Sequence, residues 1–192
     1  MEHEIHELHS AVLASPLLRP VIDAWDTLDL PDCWMVAGAV AQTYWNHRFG
    51  LPVSHGISDI DIVYFDDKDL TESGEASHAA RIRTAFAHLP VWFDVKNEAR
   101  VHCWYQDKFG YSISPYTSTA NAIASFPTTA TAIGLQPSDG SLLVEAPFGV
   151  RDLMNCVVRP NKTQITRSIY EAKVNRWVKN WPDLEICDWE EL

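Results

Sequence analysis

Between Cys33 and Val95 the chain alternates short apolar runs with helical ones, and that alternation restricts the fold more than any other feature. "CWMVA", Cys33 to Ala37, is too short for a helix and reads as a strand. "GAVAQTYWNHRFG" follows as a helix, with Val40, Tyr44 and His47 on related faces and Gly50 as its stop. "SDIDIVYFD" is rich in β-branched and aromatic residues and reads as a second strand. The polar connection "DDKDLTESGEASH" then leads to the helix "HAARIRTAFAHL", and "VWFDV" makes a third strand. Strands alternating with helices in this way predict an α/β architecture, a sheet with helices laid against it.

The flanks are mainly helical. Residues 3–28 read as two helices, since Leu8 and Val12, then Leu17, Leu18, Val21, Ile22 and Trp25, fall at helical spacings, and Ser15-Pro16 supplies a cap and an N1 proline. After the third strand, "KNEARVHCWYQDKFG" begins as a helix, and "STANAIASF" forms a short one capped by Ser118 or Thr119. "TAIGLQPSDGSLLVEAPFG" alternates around Pro137-Ser138-Asp139-Gly140 and predicts a β-hairpin. From about Gly149 the chain is again mainly helical, with Tyr170, Val174, Trp177 and Val178 spaced for one buried stripe before Pro182. The expected organisation is one domain over 1–192, with a core at about 31–148 and helical extensions at 1–30 and 149–192.

With 192 residues, 46% of them apolar, the chain is long enough for a core of its own. Lys and Arg total 15 against 26 Asp and Glu, a formal charge of −11, which excludes a broad phosphate-tracking surface for duplex nucleic acid. No apolar run is long enough to span a membrane, and the start "MEHEIHEL" lacks the basic and apolar regions of a signal peptide, so a soluble, cytoplasmic protein is expected. Cys33, Cys103, Cys156 and Cys187 are scattered singly and read as ordinary reduced thiols.

Among 15 aspartates an Asp-x-Asp pair arises easily by chance, and Asp67-x-Asp69 in the polar connection is such a pair. Asp59 and Asp61 differ in context. Alternate residues of a strand share a face, so the two carboxylates project together while Ile60 and Ile62 pack behind them. Carboxylates held in parallel repel unless a cation lies between them, and a hard divalent ion with oxygen ligands, Mg²⁺ or Mn²⁺, suits that position. Asp94 stands among Trp92, Phe93 and Val95, where a lone carboxylate costs several kcal/mol of desolvation unless paired or metal-bound. If the second and third strands are neighbours, all three acids converge as in the two-metal centres that catalyse in-line displacement at phosphorus. Gly38, after the first strand, lets the backbone approach a ligand closely at the start of a helix, where anions bind.

A glycine turn opening a helix, a strand with Asp-x-Asp and a later strand with Asp resemble the DNA polymerase β-like nucleotidyltransferase superfamily. The blocks "DVKNEARVHCWY", "FPTTATAIG", "APFGVRDL" and "VVRPN" are similar to a bacterial nucleotidyltransferase-like family of unknown function, across nearly the whole chain. The resemblance implies a small mixed sheet flanked by helices. It also implies Gly38 and Ala39 as the nucleotide-binding turn, and Asp59, Asp61 and Asp94 as catalytic metal ligands. Two departures stand out: Ala39 replaces the second Gly or Ser of the superfamily's turn, and the interval from Ala39 to Asp59 is longer than usual.

Lys96, Asn97 and Arg100 follow Asp94 closely and are candidates for holding phosphates, Lys96 and Arg100 sharing a face if that segment is helical; pairing with Glu98 or solvent is the plainer alternative. Trp104 and Tyr105 read as core before base-stacking, Thr128 to Thr131 as structural, and Asp152 as a helix first-turn acid. Arg159 is a weaker phosphate candidate. His3, His6 and His9 read as a solvated face before a metal site. The expected activity is transfer of a nucleotidyl group from an NTP to a small-molecule or protein acceptor, in preference to a long polynucleotide. The alternatives are a nucleotide-binding or interaction protein that kept the fold without turnover, and an Asp-x-Asp glycosyltransferase, which has no need of Asp94. The base, the acceptor and the oligomeric state are left open.

Overall fold

A computed structural model describes residues 2–190. The chain opens with α1 (Glu2–Leu13) and the short α2 (Arg19–Asp23), which is followed by a 3₁₀ turn at Trp25–Leu28. Ser15 Oγ accepts from the amides of Leu17 and Leu18, as its cap pattern predicts. Leu8, Val12, Leu18 and Val21 are fully buried in the same apolar cluster as the central sheet.

The first strand, β1 (Trp34–Val36), is shorter than Cys33 to Ala37, because Ala37 takes φ 56° and turns the chain into α3 (Ala37–Arg48). A non-glycine residue in that region is costly. The left-handed position of this turn thus falls on Ala37, one residue before Gly38. Next come β2 (Asp59–Tyr64), α4 (Glu72–Ala85) and β3 (Trp92–Asn97). Helix α4 starts six residues before the expected His78, since Thr71 Oγ1 caps the Gly74 amide and Glu72 and Glu75 sit favourably in its first turn.

A 3₁₀ turn at Glu98–Arg100 leads into α5 (Val101–Phe109), and Ser118 caps α6 (Thr119–Ile123) by accepting from the Asn121 amide. Strands β4 (Gly134–Ser138) and β5 (Ser141–Glu145) form the expected hairpin, its turn centred on Asp139 and Gly140 with φ 48° and 77°. The C-terminal region contains α7 (Arg151–Met154), β6 (Val157–Val158), α8 (Arg167–Trp177) and β7 (Glu185–Ile186). The parallel pair β6–β7 has two residues per strand, too few for any periodicity to announce.

The main sheet runs in the order β3-β2-β1-β4-β5. Only β2 and β3 are parallel, joined through α4 as a parallel pair requires, while β1–β2, β1–β4 and β4–β5 are antiparallel. The result is a mixed sheet flanked by helices. Among the described residues no helix is long and apolar enough to cross a membrane. All four cysteines are free thiols, and only Cys103 is exposed.

Candidate active site

In β2, Ile60 and Ile62 are fully buried while Asp59 and Asp61 lie half-buried on the opposite face. Phe93 and Val95 do the same for β3 and leave Asp94 half-buried. Parallel pairing sets Asp61 directly opposite Asp94, and Asp59 opposite Trp92. On its other edge β2 pairs with β1, where Asp61 faces Val36, the residue before α3. The start of α3 therefore lies beside the carboxylates, and no side chain caps it. A Cβ at Gly38 would stand 3.2 Å from Gln42 Nε2 and 4.0 Å from Asp61 Oδ2, so the glycine keeps open the approach to Asp61. Ala39 is buried and offers only its backbone.

Burial, and then the negative charges of Asp59 and Asp94, push Asp61 up to about 7. Asp59 Oδ1 accepts from Ser58 Oγ at 2.6 Å, and Asp94 Oδ1 lies 3.5 Å from Lys96 Nζ. Among the described residues no three His, Cys, Asp or Glu groups already converge as a ligand cluster. The donors at the site are nonetheless all hard carboxylate oxygens, and a divalent ion held between them would relieve the repulsion acting on Asp61. Their chemistry fits Mg²⁺ or Mn²⁺.

The phosphate candidates after Asp94 divide. Lys96 lies on β3 beside Asp94, on a strand in place of the expected helix. Asn97 is buried and fully engaged: its Oδ1 accepts from the Asp66 and Ala99 amides, and its Nδ2 donates to the carbonyls of Asp66 and Asp69. Arg100 is also buried, donating from Nη1 to Glu75 Oε1 at 2.9 Å and from Nε to the Leu70 carbonyl. Both side chains hold the β2–α4 connection. The partner of Arg100 is Glu75 of α4, where Glu98 was the sequence-adjacent alternative.

Glu98 is instead a buried acid pushed up to about 8, first by burial and then by the charges of Glu75, Asp61 and Asp94, with Lys96 acting in the opposite sense. Nothing in the sequence singles it out. The same holds for Lys173 and Arg176 of α8, whose positive charges act on Asp61 from more than a hundred residues away in the chain.

Other expected groups are structural. Thr128 and Thr131 bond each other at 2.8 Å, and Asp152 accepts from Thr129 Oγ1 at 2.6 Å and from Arg159 Nε at 3.1 Å, tying "TTAT", "RDL" and "VVRPN" into one joint. Tyr105 is buried with its hydroxyl against that of Tyr111, and Trp104 is half-buried. His6 and His9 line an open groove of about 580 Å³ next to the β4–β5 turn, at the opposite edge of the sheet from Asp94.

A family model described as "Nucleotidyltransferase" matches residues 23–186. A solved structure titled "The NMR structure of the protein reveals a CCA-adding enzyme head domain" superposes with a TM-score of 0.78 at 23% identity, over 95% of each chain. That likeness concerns the fold. Among curated proteins no sequence matches.

Proposed function

The chain belongs to the nucleotidyltransferase family, and from that premise we propose that it transfers a nucleotidyl group from an NTP to an acceptor hydroxyl at Asp59, Asp61 and Asp94. The observation that carries this reading is the register of β2 on β3, which sets Asp61 opposite Asp94 with Asp59 on the same face, beside the start of α3. Asp59, Asp61 and Asp94 would hold Mg²⁺ or Mn²⁺. Such an ion, when bound, neutralises polyphosphate charge and makes an acceptor hydroxyl more acidic.

In the proposed reaction the acceptor oxygen bonds to the α-phosphorus and the bond from that phosphorus to the bridging oxygen breaks. Pyrophosphate leaves with the electron pair, and the hydroxyl proton passes to the carboxylate of Asp94 on the edge strand. The amides at the start of α3 and the space left by Gly38 admit a phosphate beside Asp61. The net charge of −11 favours a small-molecule or protein acceptor over a long polynucleotide.

The test is calorimetric titration with ATP, GTP, CTP and UTP, with and without Mg²⁺, on the wild type and on the double variant Asp59→Asn, Asp61→Asn. Metal-dependent binding that disappears in the variant is expected. Binding indifferent to the substitutions removes the carboxylates from the nucleotide site and ends this reading. A second reading, nucleotide binding without turnover, draws on Ala39, which is buried and supplies no hydroxyl at the helix start. It predicts the same binding with no pyrophosphate released.

A further inference from the structure

An open cavity of about 500 Å³ lies where the segment after α5 meets α6 and the stretch before α8. Tyr111, Ile113 and Tyr116 supply its aromatic and apolar lining, and Asn121, Ser125 and Gln164 supply polar groups. Although 21% of the chain is charged, among the described residues no charged one lines this cavity.

Its walls are bonded to one another. Asn161 Nδ2 donates to the carbonyls of Ala124 and Phe126, both at 2.8 Å, while Asn161 Oδ1 accepts from the Thr163 amide and hydroxyl. That fastens the stretch before α8 to the end of α6. The Tyr111 hydroxyl donates to the Gln164 carbonyl at 2.7 Å, and the Tyr116 hydroxyl to Gln164 Oε1 at 2.8 Å, which ties in the segment after α5. A cavity built in this way costs little ordering when a ligand enters.

Two amide donors are left over. Oε1 of Gln164 is taken by Tyr116, and Oδ1 of Asn121 by the Thr117 amide at 3.2 Å; among the described residues neither Gln164 Nε2 nor Asn121 Nδ2 meets an acceptor. Uncharged donors beside aromatic side chains suit a ligand that is neutral, flat and rich in acceptors. A nucleobase with its ribose has that chemistry, since its faces lie on aromatic rings and its edge pairs with amides.

The cavity is also on the carboxylate-bearing side of the sheet. Val36 stands opposite Asp61 in the β1–β2 pair, and Val63 follows Asp61 by two residues on β2, so both share its face. Ile123 of α6 packs with Val36 and Val63 in one apolar cluster. Helix α6, which carries Asn121, therefore lies on the face that carries Asp61, directly beyond it.

We propose that this cavity is a nucleoside pocket, in which Gln164 and Asn121 donate to the edge of a base held among Tyr111 and Tyr116. The assignment rests on the nucleotidyltransferase reading and deepens it by placing a base and ribose on the carboxylate face. The nucleoside of the donor NTP and that of a nucleotide acceptor offer the same chemistry, and the experiment separates them.

The full chain is titrated in a calorimeter with adenosine, guanosine, cytidine and uridine without metal, then with the corresponding NTPs and Mg²⁺. Gln164→Glu and Asn121→Asp keep the oxygens that Tyr116 and Thr117 use and remove only the amide donors, so both variants should fold as the wild type does. Nucleosides carry no charge, so their binding reads the lost donor. At least one nucleoside should bind, and each substitution should weaken it about tenfold. Glucose, also neutral and rich in hydroxyls, should not bind; if it binds as tightly as any nucleoside, the site is a carbohydrate site and the proposal is overturned. Competition between the nucleoside and its NTP assigns the pocket to the donor, and nucleoside binding that persists at saturating NTP assigns it to the acceptor. If no nucleoside binds, or if both variants bind nucleosides and NTPs as tightly as the wild type, the proposal is overturned. The transferase reading then still stands wherever Asp59→Asn with Asp61→Asn abolishes metal-dependent NTP binding. NTP binding indifferent to that double variant ends the transferase reading, while nucleoside binding weakened by Gln164→Glu and Asn121→Asp still upholds the pocket.

Discussion

Replacing Glu98 by glutamine should stabilise the protein increasingly as pH rises from about 4.5 to about 8 and leave it nearly unchanged below that window. Glu98 is 6% exposed and is raised from an ordinary 4.5 to about 8, by burial first and by the neighbouring acids next. Between those two values the folded chain keeps the proton while the unfolded chain has released it. Unfolding therefore sheds a proton, and stability falls as pH rises from about 4.5 to about 8. At about 1.4 kcal/mol for each tenfold change in proton affinity, the ceiling is about 5 kcal/mol; relaxation around the charge lowers the expectation to about 2–4 kcal/mol at pH ~9. Glutamine has nearly the same shape and no proton to lose. Urea unfolding of the wild type and Glu98→Gln, from about pH 4 to about pH 9, should give curves that coincide at the acid end, separate between about pH 4.5 and about pH 8 and keep a constant separation above that, the variant being the more stable. Asp61, raised to about 7, adds a slope of the same sign to both proteins. Parallel curves, or a variant less stable throughout, would mean that Glu98 is ionised and stabilised in the fold, and the reasoning would be wrong.

Gly56 has φ 68°, and a Cβ there would lie 2.6 Å from Trp181 Cη2, so Gly56→Ala should lower the urea-unfolding free energy by about 2–4 kcal/mol. Gly50→Ala, at φ 63° with nothing within 4 Å, should cost only about 1–2 kcal/mol, and equal losses at the two positions would refute the steric argument. Arg100→Met leaves Glu75 buried with the Asn97 amide at 2.8 Å and Lys96 Nζ at 3.8 Å as its remaining partners, and should cost about 3 kcal/mol in the same assay. Adding Glu75→Leu should recover part of that loss; no recovery would mean that the buried charge is not its source.

The strands around the site were legible because period-two alternation is a local signal. Ile60 and Ile62 against Asp59 and Asp61 fix which face is polar, whatever the strand pairs with. Asp94 among apolar neighbours drew attention through the cost of burying a lone charge, and the Asp139-Gly140 turn through the positive φ that it needs. Lys96 does lie beside Asp94, whereas for Asn97 and Arg100 nearness in sequence to Asp94 does not decide which groups the side chain meets. The strand continues through Asn97, whose amide and carbonyl oxygen close the β2–α4 connection, and Arg100 turns to Glu75, twenty-five residues back. A helix starting at Lys96 would have given those side chains a different direction.

By itself, then, the sequence determined an alternating α/β chain with Asp59 and Asp61 on one face of a strand and Asp94 in another, because side-chain alternation and the penalty for isolated charge are properties of a few consecutive residues. Tertiary structure alone decided that β2 and β3 pair in parallel with Asp61 opposite Asp94, that Glu98 is buried as a raised acid, and that the charges of Lys173 and Arg176 act on Asp61. Those outcomes depend on strand register and on the docking of α8 through Trp177 and Trp181. Electrostatic energies follow distance in space, and the chain brings these charges together only when it folds.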